Sequence, residues 1–296
     1  MVLFAAAACS RKDREVVVYC AQDQAYAEPL LREFAQQSGV RVRPLYDSEA
    51  VKTVGLANKL LAEQNHPQCD VFWGNEEMRT RQLAARGVFR PANGWAAVGY
   101  RSRRIVVNTN LLPVASAPPS LLALTNAEWR GKVALAYPQF GTTATHFHAL
   151  RQLWGKDIWR NWIRALAANK PFLVEGNSSV VKLVGRGAAP IGLTDSDDIK
   201  VGQEQGMPIA AVPPGPETLL IPNTVGVVRN GPNPEPAQGL LEFLISQTTA
   251  MRLVESGALE GASAQSGPAP HLSVDWEALL RDLDETTAEL NAVFLR

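Results

Sequence analysis

Residues 15–73 read EVVVYCAQDQAYAEPLLREFAQQSGVRVRPLYDSEAVKTVGLANKLLAEQNHPQCDVFW. Strand-like runs occur at 15–20, 40–45 and 70–73. Between them, apolar side chains recur at helical spacing in residues 27–34 and 54–61, and Gly39 marks the end of the first helix. The order βαβαβ predicts a parallel sheet with right-handed crossovers, and therefore an α/β fold.

The loops that follow these strands are all polar: 19–23 (YCAQD), 46–49 (YDSE) and 74–77 (GNEE). The carboxyl ends of parallel strands share one edge of the sheet, where open α/β folds bind their ligands. We therefore expect a polar binding site at that edge.

A second α/β series follows a strand at 101–108 and a proline-rich connection. Its strands are predicted near 132–137, 172–174 and 190–194, its helices after Thr142, near 156–168 and after Ser178, and its extended return at 218–228. Two extended crossings suit a hinge between two lobes, each a mostly parallel sheet flanked by helices. We assign 15–105 and 226–296 to the first lobe and 106–225 to the second, with an apolar terminal helix around Leu279 and Leu283.

The charge balance and the missing motifs argue against two classes of protein, nucleic-acid binders and enzymes. Basic and acidic residues number 29 each, so the basic excess that a broad nucleic-acid surface needs is absent. The signatures GxSxG, HExxH, CxxC and the phosphate-binding Walker loop are all missing from the sequence, which argues against an enzyme.

Residues 1–14 open with MVLFAAAAC, a short apolar run that predicts a secretory signal with lipidation at Cys9. The alternative is a plain apolar tail, since a basic start is lacking. Cys20 and Cys69 lie on different predicted strands, beyond disulfide reach, and are expected to be buried thiols.

Residues 140–146 (FGTTATH) follow a strand and open a helix, so glycine, hydroxyls and unpaired amides suit an anionic oxygen. Alternatively, Thr142 or Thr143 only caps the helix. His146 and His148 lack metal-site spacing and are expected to be packed or solvated.

Residues 194–198 (TDSDD) also open a helix, and their carboxylates could bind a hard cation or only complement the helix dipole. We favour Asp195 and Ser196 for ligand contact. Arg101 and Arg103 share one strand face and either meet an anion or pair with carboxylates such as Glu76.

Several segments together resemble the iron(III)-type extracellular solute-binding proteins of ABC importers, which have the type II periplasmic-binding-protein fold. They are VVVYCAQDQAYAEPLLREFAQQSGVRV (16–42), VGLANKLLAEQNHPQCDVFWGNEE (54–77), FGTTATHFHAL (140–150), IGLTDSDD (191–198) and LIPNTVGVV (220–228). The resemblance covers residues 15–257 and implies cargo binding in a cleft between the lobes. Arg103 is added because it shares a strand face with Arg101 and could meet an anion. The expected ligand-binding residues are then Tyr19, Gln22, Glu49, Asn75, Glu76, Arg103, Gly141, Thr142, Thr143, Asn177, Thr194, Asp195 and Ser196.

One departure bears on the cargo. Ferric-ion binders of this family carry paired tyrosines where this chain has residues 194–198, and no tyrosine occurs there. The resemblance therefore leaves two cargoes open, ferric iron or a small phosphate- or phosphonate-bearing anion, and the missing tyrosines favour the organic anion.

The resemblance also implies the cellular setting: a monomer in the periplasm or on the outer face of a membrane, delivering solute to a membrane permease. It implies no cofactor, with Fe³⁺ only as cargo. The rival hypothesis is an enzyme of similar bilobal architecture, transferase-like, acting on a small anionic substrate.

Overall fold

The computed structural model describes residues 14–46, 52–92, 94–263, 267–268 and 270–295. The predicted leader with Cys9, and the candidate ligand residue Glu49, lie outside these ranges.

The first half of the chain alternates strands and helices as predicted. Its elements are β1 (Glu15–Cys20), α1 (Gln24–Ser38), β2 (Arg41–Tyr46), α2 (Lys52–Ala62), β3 (Val71–Gly74), α3 (Glu77–Ala85) and β4 (Trp95–Asn108). Helix α1 ends where Gly39 adopts a left-handed conformation with φ of 68°. Strand β4 begins six residues earlier than the predicted strand at 101–108, so it is long enough to serve both lobes.

The second half repeats the alternation and ends in helices. Its elements are β5 (Val133–Ala136), α4 (Gly141–Trp154), α5 (Lys156–Ala168), β6 (Phe172–Val174), α6 (Asn177–Gly185), β7 (Ile191–Asp195), α7 (Ser196–Glu204), β8 (Ile209–Ala211), β9 (Leu220–Val227), α8 (Pro234–Ile245), α9 (Gln247–Glu255), α10 (Trp276–Arg281) and α11 (Leu283–Phe294).

The strands form a path in the order β2-β1-β3-β9-β4-β7-β5-β6, with β8 paired to β4. Strand β1 is parallel to β2 and β3, and β5 is parallel to β6 and β7. The long strands β4 and β9 are antiparallel to each other; the first part of β4 pairs with β9 and its last part with β7. This topology confirms two α/β lobes joined by two crossing strands.

Each lobe buries apolar side chains on both faces of its sheet. On β1, Val16 and Val18 pack with α1 on one face, while Tyr19 packs with α2 on the other, because side chains alternate along a strand. Cys20 and Cys69 are buried thiols, as predicted.

The C-terminal region divides between the two cores, unlike the predicted assignment of all of 226–296 to the first lobe. Leu240 of α8 and Leu253 of α9 do pack in the first lobe. Leu290 and Phe294 of α11 pack instead in the core of the second lobe. The ring of Phe294 meets Phe147 of α4 at 6.2 Å between centroids, so the apolar face of α11 is covered by α4 and α5. The predicted single terminal helix is two, α10 and α11.

Candidate functional site

A polar cavity of about 50 Å³ is lined by residues of both lobes, with room for roughly three or four water molecules. Four of its residues come from the first lobe and β4, and the others from strand ends, loops and helix starts of the second lobe. The lining residues are Asp23, Thr53, Asn75, Arg101, Ala136, Tyr137, Phe140, Gly141, Thr142, Thr143, Glu175, Gly176, Asn177, Asp195, Asp197 and Asp198.

Helix N-termini converge on this cavity because the parallel strands of the two lobes are each followed by a helix at the same sheet edge. Gly141 opens α4, Gly176 precedes α6, and Asp197 lies in the first turn of α7. From the first lobe, Asp23 precedes α1 and Thr53 lies in the first turn of α2. The first amides of a helix have no partner within it and carry partial positive charge, so they suit an anionic group.

Asp195 is the centre of the hydrogen-bond network below the cavity. One carboxylate oxygen accepts from Arg103 Nη1 at 2.7 Å, and the other accepts from Thr142 Oγ1 at 2.7 Å and Asn177 Nδ2 at 3.0 Å. Burial opposes the charge of Asp195, but Arg103 and then Arg101 outweigh it and lower the pKa of this carboxyl. With its oxygens already bonded, Asp195 organises the site rather than offering itself to a ligand.

Arg101 forms hydrogen bonds and ion pairs with residues of both lobes. Its Nη2 donates to the backbone oxygen of Asn75 at 2.7 Å and its Nη1 to Asn223 Oδ1 at 3.0 Å. Its Nε lies 3.5 Å from a carboxylate oxygen of both Asp195 and Asp197. The guanidinium is therefore compensated within the protein, and among the described lining residues no second arginine or lysine offsets the other carboxylates.

The remaining carboxylates give the cavity an excess of negative charge. Asp195, Asp197 and Asp198 can each place an oxygen within 4.8 Å of the others, an arrangement that suits a cation. Asp197 Oδ1 is buried and has no hydrogen-bond partner among the described residues. Burial, only partly offset by Arg101, raises the pKa of Asp197 to about 7.

Six of the predicted ligand residues line the cavity: Asn75, Gly141, Thr142, Thr143, Asn177 and Asp195. Among these, the side chain of Asn75 is held by Thr53, whose Oγ1 donates to Asn75 Oδ1 at 2.6 Å. Residues from loops that the strand order placed at one sheet edge therefore do lie around one cavity.

The other predicted residues, apart from Glu49, support the structure around the cavity. Tyr19 donates to Glu63 at 2.8 Å, on the far face of the first sheet. Glu76 caps α3 through the Arg79 amide and accepts from Thr145. Arg103 lies beneath Asp195.

Three further predicted residues also lie off the cavity. Thr194 Oγ1 donates to the backbone oxygen of Asn177, and Ser196 Oγ accepts from the Ser102 amide. Gln22 is buried without lining the cavity. The strand–helix turn at Asp195 directs Ser196, which was favoured for ligand contact, towards β4, whereas Asp197 lines the cavity.

Asp23 and Phe140 lie in the segments 19–23 and 140–146 singled out from the sequence but were not among the expected ligand residues, and sequence reasoning missed Thr53, Tyr137 and Glu175. Glu175 follows β6 and precedes α6, so the rule applied to the first-lobe loops would have selected it. Tyr137 follows β5 in the same way. Nothing in the local sequence distinguishes Thr53, whose place beside Asn75 depends on the packing of α2 against α3 and α4.

Neither threonine caps α4, since the helix begins without a side-chain cap. Thr142 Oγ1 donates to the charged Asp195, whereas Thr143 Oγ1 reaches only Asn177 Oδ1 at 3.5 Å.

We expect Thr142→Val to lower the free energy of unfolding by about 1.5–3 kcal/mol, the range for hydrogen bonds to charged groups. The matched Thr143→Val variant should cost less than about 1 kcal/mol, because its hydrogen bond is long and its acceptor is neutral. Urea denaturation followed by circular dichroism measures both. Equal losses in the two variants would contradict the role given to Asp195.

His146 and His148 are packed in the interior, as predicted. His146 Nε2 lies 2.7 Å from the backbone oxygen of Glu217. Burial, and then the charges of nearby arginines, lower the pKa of both histidines to about 3. They are neutral at physiological pH and lie off the cavity lining.

A sequence model of bacterial extracellular solute-binding proteins matches residues 16–258. The chain belongs to this family. It is 30% identical over 211 residues to the Fe(3+)-binding periplasmic protein of Serratia marcescens, which covers 65% of this chain and 60% of that protein. It is 22% identical over 177 residues to the major ferric iron-binding protein of Neisseria meningitidis, over 53% of this chain and 52% of that protein. The matches thus span less than two thirds of either relative's own length.

Solved structures share the fold of this solute-binding protein over nearly its whole length. Iron-bound HitA from Pseudomonas aeruginosa superposes with a TM-score of 0.81 at 18% identity, covering 95% of this chain and 99% of that one. AfuA from Actinobacillus pleuropneumoniae, with exogenous fructose-6-phosphate bound, gives 0.79 at 20% identity, covering 96% and 99%. Within the described residues, no helix has both the length and the apolar character needed to cross a membrane.

Proposed function

We propose that this protein captures a small solute in the polar cavity between its lobes and delivers it to the permease of an ABC importer. The observation that carries the proposal is the convergence of helix N-termini from both lobes on one cavity at the crossing strands. A ligand held there contacts both lobes at once, so its binding favours their closure. Family membership supports the same role.

The first candidate cargo is a hard cation, of which ferric iron is the example, held together with a small oxyanion. Asp197 and Asp198 supply oxygen ligands, and Asp197 Oδ1 lacks a partner until a cation arrives. The amides at the starts of α4 and α6 would take the oxyanion. The names of the Serratia and Neisseria relatives support this cargo.

The second candidate is a phosphorylated or phosphonate-bearing organic molecule. The segment from Gly141 to Thr143 and the Gly176–Asn177 turn face one cavity, which suits one tetrahedral anion. The fructose-6-phosphate complex of AfuA, a protein of the same fold, supports it. The acidic residues then require that the organic part carry a positive or hydrogen-bond-donating group.

The remaining parts of the proposal concern setting. We propose a periplasmic or outer-face location, with lipidation at Cys9, a monomeric state and no catalytic activity. We also propose 15–105 as first-lobe and 106–225 as second-lobe sequence, and a contribution of Glu49 to the cleft. Mass determination of the exported protein tests the lipid anchor directly.

We expect native mass spectrometry of protein purified without chelator to reveal a bound ion or small molecule. We also expect one added solute among ferric citrate, inorganic phosphate and fructose-6-phosphate to raise the melting temperature, with glucose as the control. Binding stabilises the folded state by RT ln(1 + [L]/Kd), about 2.7 kcal/mol at a hundredfold excess over Kd. A response only to fructose-6-phosphate would select the second candidate. An unliganded mass together with no thermal shift would contradict the binding role.

A further inference from the structure

A second cavity, of about 200 Å³, lies in the second lobe beside the crossing strands. We call it the proline pocket; its walls include Pro118, Pro119, Leu121, Leu193, Val212 and Pro216. It shares none of its lining residues with the polar cavity. Its walls are mainly apolar, so it suits a less polar ligand than the polar cavity does.

Two buried nitrogen atoms of its lining residues have no hydrogen-bond partner among the described residues: Arg103 Nε and His146 Nδ1. Both side chains are at least 98% buried, with exposed fractions of 1% each. Leaving such atoms unpaired is unfavourable, because each has lost its hydrogen bonds to water and gained none in the protein. Both residues line the same pocket, and the charge of Arg103 acts on the His146 ring, so one polar group inside the pocket is the natural partner for the two atoms.

The two atoms have opposite hydrogen-bond roles. Arg103 Nε carries a proton and can only donate. His146 Nε2 faces the backbone oxygen of Glu217, which only accepts, so the proton of the neutral ring resides on Nε2. His146 Nδ1 is consequently an acceptor. A hydroxyl group is the simplest partner, because its oxygen accepts from Arg103 while its hydrogen is donated to His146.

The charge around the pocket disfavours an anion. The positive charge of Arg103 is already compensated by Asp195 at 2.7 Å. The Glu217 carboxylate also lines the pocket, held by the Leu121 amide at 2.5 Å. A cavity of 150 Å³ with apolar walls accommodates benzene, so the proline pocket has room for one ring with a substituent.

We propose that the proline pocket binds a small uncharged hydroxyl compound, a phenol or cyclic alcohol, with its hydroxyl between Arg103 Nε and His146 Nδ1. This site is separate from the cargo cavity and does not depend on which solute that cavity takes. Arg103 joins the two places, because its Nη1 bonds to Asp195 under the cargo cavity.

The test titrates the full chain with phenol and with toluene, which has a similar ring but no hydroxyl, by isothermal calorimetry. Phenol should bind saturably. His146→Phe keeps a ring but removes the acceptor, and should weaken phenol at least fivefold while changing toluene less than twofold. Val212→Trp fills the pocket from its half-buried edge and should abolish binding of both compounds. Leu153→Trp, which adds the same ring at an exposed position of α4, is the matched control and should bind both normally.

A crystal structure with phenol provides the direct view. Phenol oxygen between Arg103 Nε and His146 Nδ1 would establish the site. An ordered water that phenol does not displace would overturn the proposal. So would unchanged phenol affinity in Val212→Trp, or equal weakening of phenol and toluene in His146→Phe.

Discussion

Asp195→Asn is expected to lower the free energy of unfolding by about 3–5 kcal/mol, the range for removing one partner of a buried ion pair. The substitution keeps the size of the side chain but removes the charge that faces Arg101 and Arg103. Both guanidinium groups are almost fully buried, at 3% and 1% exposure. Neither can return to water without opening the junction between the lobes, so the uncompensated charge remains in the interior.

Urea denaturation of the ligand-free protein measures this effect. Glu28→Gln is the control, because it also breaks an arginine–carboxylate pair, with Arg32, but on the surface of α1. Water screens that pair, and its loss should leave the unfolding midpoint unchanged. If Asp195→Asn were as stable as the control, Asp195 could not be the residue that compensates the two arginines.

The fold of the first lobe could be predicted because its sequence pattern is local. Residues 15–20 form β1 with the predicted bounds, and the stripe at 27–34 forms the buried face of α1. Gly39 ends that helix because glycine readily adopts the left-handed conformation of a helix C-terminus, which the sequence already indicates. The first half of β4 was missed because WAAVGY, residues 95–100, contains small residues and glycine and has no alternating pattern.

The hydrogen-bond network of the site could not be predicted, since it depends on register between distant strands. Arg103 meets Asp195 because β4 and β7 pair antiparallel with these two residues opposite each other. The sequence allows equally for a pairing with Glu76, which in the structure caps the start of α3, hydrogen-bonded to the Arg79 amide and to Thr145. The terminal helices show the same limit: an apolar face predicts burial but not which lobe covers it.

Asp197→Asn is expected to weaken binding of a ferric ion, supplied as ferric citrate, by at least about thirtyfold. Truncating a buried charge partner costs about 2–5 kcal/mol, and 2 kcal/mol corresponds to a factor of about 30 at 1.4 kcal/mol per tenfold change. Glu204→Gln is the matched control, because it removes one carboxylate from the exposed end of the same helix, α7. Equal affinities in the two variants would exclude Asp197 as a ligand and favour the organic cargo.

The pH dependence of the ligand-free protein tests Asp197 without any assumption about cargo. Its pKa rises from an ordinary 3.8 to about 7, so between these values the folded protein holds a proton that the unfolded chain has released. Stability must then fall as pH rises through this window, by about 1.4 kcal/mol per pH unit relative to Asp197→Asn. Other titrating groups, including the buried histidines, are present in both proteins and cancel in the difference. Parallel stability curves for wild type and variant from pH 4 to 7 would mean that Asp197 is already ionised in the folded protein. In that case a bound cation would displace no proton from Asp197. The affinity of the protein for the cation would then not rise with pH through this residue.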